Sequence, residues 1–255
     1  MTYALIYHDV ADAADRERCG FPGASAARYK LDWAQFEAHL DAIAATGREV
    51  GLAHSGADVA LTFDDGGSSA VAVAEALERR GWRGHFFITT ERIGTPGFID
   101  ADGARELAAR GHDVGSHSHT HPSRITALDR EALGAEWRTS RARLAEILGR
   151  PPETAGVPGG YLSRAVVDEA ARAGYRLLMT SQPTARRRRR DGLEVHGRFI
   201  IRASTSPERA AAFASGNRGV TLAAWLDWQA KQLPRRLSPE AYERLRRLWA
   251  RRRSG

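Results

Sequence analysis

Short apolar runs alternate along this chain with stretches whose apolar residues recur at helical spacing, and few folds accommodate that alternation. The runs Tyr3–Tyr7, Val59–Phe63, His85–Thr90, His112–Ser116, Thr154–Val157, Tyr175–Thr180 and Gly197–Ala203 read as strands, with a weaker one at Glu49–Ala53. Between them, Asp32–Thr46 carries Trp33, Phe36, Leu40 and Ile43 on one helical face. A second helix ends at Gly81, and others are expected from Asp100 or Asp102 to Gly111, over Asp129–Leu148, and over Ser163–Ala173. Strands that alternate with helices argue for a parallel sheet with helices outside, closed as a barrel or open and doubly wound. A chain of 255 residues that is 42% hydrophobic can bury one large core, and no repeat or linker divides it.

The stretch Ala60-Leu-Thr-Phe-Asp-Asp-Gly-Gly67 carries the densest chemistry. A buried strand delivers Asp64 and Asp65 side by side, and two carboxylates so placed need a cation or a proton to neutralise them. The plain alternative is a turn after a strand, because Asp and Gly are turn residues. A cation site is offered by Gly115-Ser-His-Ser-His-Thr-His-Pro122. One carboxylate and two imidazoles make a three-ligand metal site with an open position for water, and a second carboxylate can serve as base. His117 and His121 are four residues apart, and His119 between them is expected to face elsewhere. His8, the Asp pair, His117 and the Pro158-Gly-Gly turn all follow the carboxyl ends of predicted strands, where both architectures build their sites.

Thr62-Phe-Asp-Asp-Gly66 and His117-Ser-His-Thr-His121 resemble the first two motifs of the polysaccharide deacetylases, the NodB-homology or carbohydrate esterase family four. The resemblance covers roughly residues 1–203 and implies a distorted (β/α)7-type barrel, with 204–255 as a helical extension packed on it. It implies Asp64 as catalytic base and Asp65, His117 and His121 as ligands to zinc, or to another divalent ion such as cobalt, nickel or ferrous iron. Two departures stand out. The third motif here is Gly156-Val-Pro-Gly-Gly160, without the arginine that pairs with the base; Arg198 is a candidate substitute, against the simpler reading of a surface arginine. Gly159, Gly160 and Tyr161 then become the candidate oxyanion and substrate contacts. No histidine follows residue 203 to supply the acid, but Ile6-Tyr-His-Asp-Val10 resembles the first strand of a circularly permuted, exopolysaccharide-deacetylating branch. That likeness assigns the acid to His8. His196 precedes the apolar part of its strand and is expected at the wrong end of a barrel.

Composition bounds the alternatives. The net charge of +7 comes almost entirely from arginine, lysine occurring only at Lys30 and Lys231. The Arg186–Arg190 run invites a polyanion-binding reading, but no groove-reading or aromatic RNA-binding signature accompanies it, so no nucleic-acid partner is expected. A single cysteine excludes an internal disulfide. The first residues read as a strand, not a signal peptide, and no apolar run reaches membrane-spanning length, so a cytoplasmic protein is expected. A final helix capped by Ser238, with Tyr242, Leu245 and Trp249 along one face, is a weak candidate for membrane-surface contact. The expected activity is metal-dependent hydrolysis of the amide of an N-acetylated sugar or glycan precursor. An O-acetyl esterase or small-amide hydrolase using the same site, or a non-catalytic polyanion binder, are the competing readings.

Overall fold

The structure, a computed structural model, describes residues 1–237. Strand β1 (Tyr3–Tyr7) pairs in parallel with β2 (Val59–Phe63), Tyr3 opposite Val59 and Tyr7 opposite Phe63. The parallel ladder continues through β3 (His85–Ile88), β4 (Asp113–Ser116), β5 (Thr154–Gly156) and β6 (Leu177–Thr180). It then bypasses β7 (Arg187–Arg190) and reaches β8 (Leu193–Ile200), which pairs back onto β1. Seven parallel strands therefore close a barrel, the distorted (β/α)7 architecture. The distortion lies in β8. Its first half carries β7 antiparallel on one edge, and only Arg198–Ile200 reach β1.

Outside the barrel lie α1 (Ala24–Ala27), α2 (Trp33–Ala44), α3 (Ala70–Glu78), α4 (Ala101–Ala109), α5 (Arg130–Leu148) and α6 (Arg164–Arg172), followed by α7 (Pro207–Ala214) and α8 (Arg218–Leu237). Asp32, Asp100, Asp129, Ser163 and Ser206 each accept a backbone N–H from the first turn of their helix, the capping that their sequence positions suggest. Ser69 precedes α3 but makes no side-chain cap. Its hydroxyl donates to Asp9 Oδ1 at 3.3 Å and accepts the Val10 amide at 3.2 Å.

One expectation needs correction. Glu49–Ala53 is not a strand, since only Val50 makes a bridge, to Val59, before the chain coils into a short 3-10 turn at Ala53–Ser55. Most of the arginine run forms β7, which Asp191-Gly192 turns back as a hairpin on β8. Helix α8 starts at Arg218, where the Asn217 side-chain Oδ1 accepts the Val220 amide. The expected last helix from Ser238, with Tyr242, Leu245 and Trp249, lies outside the described residues. No helix among the described residues is long and apolar enough to cross a membrane.

The barrel interior explains how a charged pair fits inside it. Side chains alternate in and out along a strand, and the innermost apolar layer contains Ala4, Ala60, Phe87, Leu177 and Met179. Two alanines in that layer leave volume for the Arg198 side chain, whose guanidinium carbon sits 5.3 Å from the Phe87 ring centre. His196 lies two residues below on the same strand face and is fully buried, and burial with the nearby Arg187 charge pushes its imidazole down to about 4.

Above the barrel, the long segment after β1 is held by Lys30. Its buried ammonium donates to the carbonyls of Arg16, Cys19 and Phe21 at 2.6–2.7 Å. An ammonium presents three diverging donors and a guanidinium a planar fork, which accounts for lysine here in a chain otherwise built with arginine. Lys30→Met would strand three carbonyls. It is expected to lower unfolding free energy by about 3 kcal/mol, read from denaturant midpoints, because charged hydrogen bonds are worth roughly 1.5–3 kcal/mol each and add incompletely.

Candidate metal centre and active site

Residue 65 turns the chain out of β2 in a left-handed conformation, φ 78°, which costs a non-glycine residue of order 1–3 kcal/mol and tends to mark functional positions. The Asp65 carbonyl is tied to the Thr89 amide at 3.1 Å, fixing the turn against the end of β3. Across the barrel mouth, His117 leaves β4 with its Nδ1 3.0 Å from the buried Gly156 carbonyl. That contact requires the proton on Nδ1 and leaves Nε2 as a bare lone pair. His117 Nε2 and His121 Nε2 each lie 3.4 Å from Asp65 Oδ1. Asp65 Oδ1 is buried and has no hydrogen-bond partner.

Lone pairs that face one another without an intervening proton repel unless a cation joins them. Burial pushes His117 down to about 3 and also lowers His121, so both rings are neutral ligands at neutral pH. Burial, aided by the neighbouring Asp9 and Asp64 charges, raises Asp65 to about 7. A carboxylate and two neutral imidazoles whose ligand atoms lie within 4.8 Å of one another fit a divalent cation of the zinc, cobalt, nickel or ferrous type.

Asp64 has a different partner. Arg198 donates NH1 to Asp64 Oδ1 at 2.6 Å and NH2 to Oδ2 at 2.9 Å, with NH1 also 2.9 Å from Thr62 Oγ1. Both side chains are almost wholly buried. Burial is the largest single influence on Asp64 and acts to raise it. The Arg198 charge, His117 and the Arg198 hydrogen bonds together outweigh burial and hold the carboxyl below its ordinary range. Arg198 thus occupies the role left open by the missing motif arginine, and the surface reading of this residue fails.

The histidine loop is set from beneath by a residue that the motif search does not register. Glu136 on α5 accepts the amides of His119 and Thr120, both at 2.9 Å, and the Thr120 hydroxyl at 2.6 Å. It is buried in the apolar stripe of Leu133, Trp137, Ser140 and Leu144, and an acid in such a stripe is the signal that would have found it. His119 turns away from the ligand cluster and bonds Thr90. His121, like Asp65, sits at positive φ, 57°.

His8 lines the same cleft as Asp64, His117 and His121. Its ring stacks on Tyr29 at 4.8 Å, and its Nδ1 is buried without a partner. Asp9 does not hold it, since Asp9 bonds Ser69 and Cys19 instead. Phe21, from the segment that Lys30 anchors, packs 4.8 Å from His121 and 5.0 Å from Phe98. The segment after β1 and the β3–α4 connection that carries Phe98 therefore form a wall of the site. Gly159 and Gly160 line the cleft, both at positive φ where a side chain would be strained. Tyr161 follows, with the Arg124 guanidinium 5.6 Å from its ring centre. The cleft encloses about 690 Å³ and extends past β8 to α7 and α8.

A family model described as polysaccharide deacetylase matches residues 52–178, the segment from β2 to β6 that contains both motifs. His8 and Arg198 fall outside it. The peptidoglycan-N-acetylglucosamine deacetylase PgdA of Listeria monocytogenes is 35% identical over 124 residues, covering 48% of this chain and 25% of that protein. The chain thus spans about a quarter of the length of that curated relative. Among solved structures, a polysaccharide deacetylase from Bacillus cereus superposes with a TM-score of 0.71 at 20% identity, over 84% of this chain and 68% of that one. IcaB from Ammonifex degensii superposes with a TM-score of 0.66 at 21% identity, over 84% and 97% respectively. These likenesses support the barrel fold.

The Arg198–Asp64 pair has a measurable signature. Arg198→Met leaves a buried carboxylate uncompensated, at an expected cost of about 3–5 kcal/mol in stability. It also lets Asp64 titrate higher, so the acid limb of any activity that needs the ionised carboxylate shifts to higher pH. A pH–rate profile alongside denaturation reads both effects.

Proposed function

Because the chain belongs to the polysaccharide deacetylase family, we propose that it is a metal-dependent hydrolase that removes the acetyl group from an N-acetylated sugar or glycan precursor. The observation that carries this reading is the separation of the two adjacent carboxylates. Asp65 faces two bare imidazole lone pairs, whereas Asp64 is clamped by an arginine and kept ionised. One aspartate is suited to a cation and the other to accepting a proton. The name of the Listeria relative supports N-acetylglucosamine as the sugar class.

In this reading Asp65, His117 and His121 hold a divalent cation, which supplies Lewis-acid polarisation of the acetyl carbonyl and acidifies water. Asp64 takes the proton from the attacking water as its oxygen bonds to the acetyl carbon. Arg198 keeps that carboxylate charged and fixes its direction. The Gly159-Gly160 turn brings backbone to the cleft wall, where an amide N–H can meet the carbonyl oxygen as it gains charge. His8 gives a proton to the amide nitrogen as the C–N bond breaks, releasing acetate and a free amine. His8 suits that role because its ring stacks on Tyr29 and its buried Nδ1 has no hydrogen-bond partner.

The rival polyanion-binding reading is weakened by the state of the arginine run. Arg187 and Arg189 are spoken for by Glu194, and Arg190 by Asp168.

Two experiments separate the roles. His117→Ala or His121→Ala is expected to abolish stoichiometric divalent metal in the purified protein, and His119→Ala to retain it, by elemental analysis. Asp64→Asn should keep the metal while turnover falls by about 10²–10⁴. Full metal occupancy without His117 or His121 would refute the ligand set.

His8→Ala is expected to slow hydrolysis of an acetamide by about 10²–10⁴ with metal retained, and to affect an activated aryl acetate far less. The aryl oxide departs without a proton and the amine does not. Equal losses on the two substrates would instead assign His8 a positioning role.

A further inference from the structure

Past the reacting groups the cleft runs outward between the end of β8 and helices α7 and α8, and its outer wall carries charge for which acetyl hydrolysis has no use. Arg202, beyond the end of β8, and Arg209, on α7, both line it. So does Lys231 on α8, but Asp227 one turn earlier forms an ion pair with it. Neither Arg202 nor Arg209 has a carboxylate within ion-pairing distance among the described residues. Arg202 sits where its backbone amide bonds Thr205 Oγ1 at 2.9 Å, and the Arg209 guanidinium lies 5.3 Å from the Phe213 ring centre. Phe213 in turn stacks on Phe199 of β8 at 4.9 Å. Arg209 is thus mounted on α7 and Arg202 on the turn that follows β8, both at the rim of a single cleft.

A guanidinium is a planar fork of donors matched to the oxygens of phosphate and carboxylate, and two on one wall concentrate that preference. A cleft made for a neutral sugar alone has no need of uncompensated positive charge. Trp228, lining the same wall from α8, adds an aromatic surface of the kind on which the apolar face of a sugar ring rests. We propose that Arg202 and Arg209 form an anion subsite, so that the substrate is an N-acetylated sugar bearing a phosphate or carboxylate on the acetylated ring or its neighbour. This rests on the deacetylase reading and narrows it: an anionic precursor or acidic glycan, not an uncharged homopolymer.

The test uses the metal-loaded full chain and measures acetate release from three substrates: a neutral N-acetylglucosamine oligomer, N-acetylglucosamine phosphate, and N-acetylmuramic acid, which bears a carboxylate. At least one anionic substrate should exceed the neutral one in kcat/KM by about tenfold or more, mainly through KM. That advantage should shrink as salt rises from about 50 to 300 mM. Which of the two is preferred identifies phosphate or carboxylate. Arg202→Gln and Arg209→Gln should each reduce the anionic-to-neutral ratio about tenfold. Arg188→Gln, which removes an exposed charge on β7 away from the cleft, should leave the ratio unchanged. A ratio near one in the native chain, or one that survives both cleft substitutions, overturns the subsite. If no substrate releases acetate, the deacetylase reading is what fails. The subsite is then judged by calorimetric binding of N-acetylglucosamine phosphate: weaker binding in the two variants upholds it, and equal binding overturns it. Neither arginine has an acidic partner to orphan among the described residues, so the Gln variants should fold, which circular dichroism checks.

Discussion

Two carboxylates leave β2 side by side into a space nearly closed to water, and the surrounding structure is arranged around neutralising them separately. Paired like charges in a buried site force at least one group to take up a proton or find a positive partner. Arg198 reaches across the barrel to clamp Asp64 with both forks, while Asp65 is turned by its positive φ toward His117 and His121. Had both aspartates shared one environment, a shared proton would have sufficed and neither would have a distinct role. The separation gives each carboxylate of a repulsive pair its own environment, one clamped by a guanidinium and one facing two imidazoles. It depends on room inside the barrel, and that room comes from Ala4 and Ala60 in the layer beside Phe87.

Other buried charges support this arrangement at a distance. Glu136 holds the histidine loop by its backbone, so the ligand rings are directed by a carboxylate that touches neither of them. Lys30 gathers three carbonyls of the segment that carries Phe21, and so brings an aromatic ring against His121. Buried charges are costly unless their hydrogen-bonding capacity is met. Here each is met by backbone groups, which links the cost of burial to the shape of a loop. The segment after β1 is therefore an ordered wall and not a loose connection.

The closing strand performs several tasks through alternation and length. On one face of β8, His196 fills the bottom of the barrel and Arg198 clamps Asp64; just past its end, Arg202 emerges at the rim of the cleft. On its first half it also accepts the arginine hairpin, in which Arg187 and Arg189 share Glu194 and Arg190 meets Asp168. What looks in sequence like a loose polycationic tract is a paired strand with part of its charge met by local acids. Arg202 and Arg209, less conspicuous in sequence, line the cleft without an acidic partner among the described residues.

The sequence by itself determined the alternation of strands and helices, the caps at Asp32, Asp129 and Ser163, and the local motifs at Asp64-Asp65 and His117–His121, while leaving the α4 cap open between Asp100 and Asp102. Periodicity, capping and short-range ligand spacing are properties of neighbouring residues, and so they are legible in one dimension. The weak strand at Glu49–Ala53 was misread for the complementary reason: its propensity is local, but how much of it pairs with β2 is not. Among the chain's many arginines nothing local distinguishes Arg198, and its role was open until barrel closure set β8 beside β1 and brought its side chain across to Asp64. Glu136, Lys30, and the lack of an acidic partner for Arg202 and Arg209 among the described residues were likewise decided only by tertiary structure. Pairing of charges depends on distance in space, and the sequence does not record which distant residues will share a buried volume.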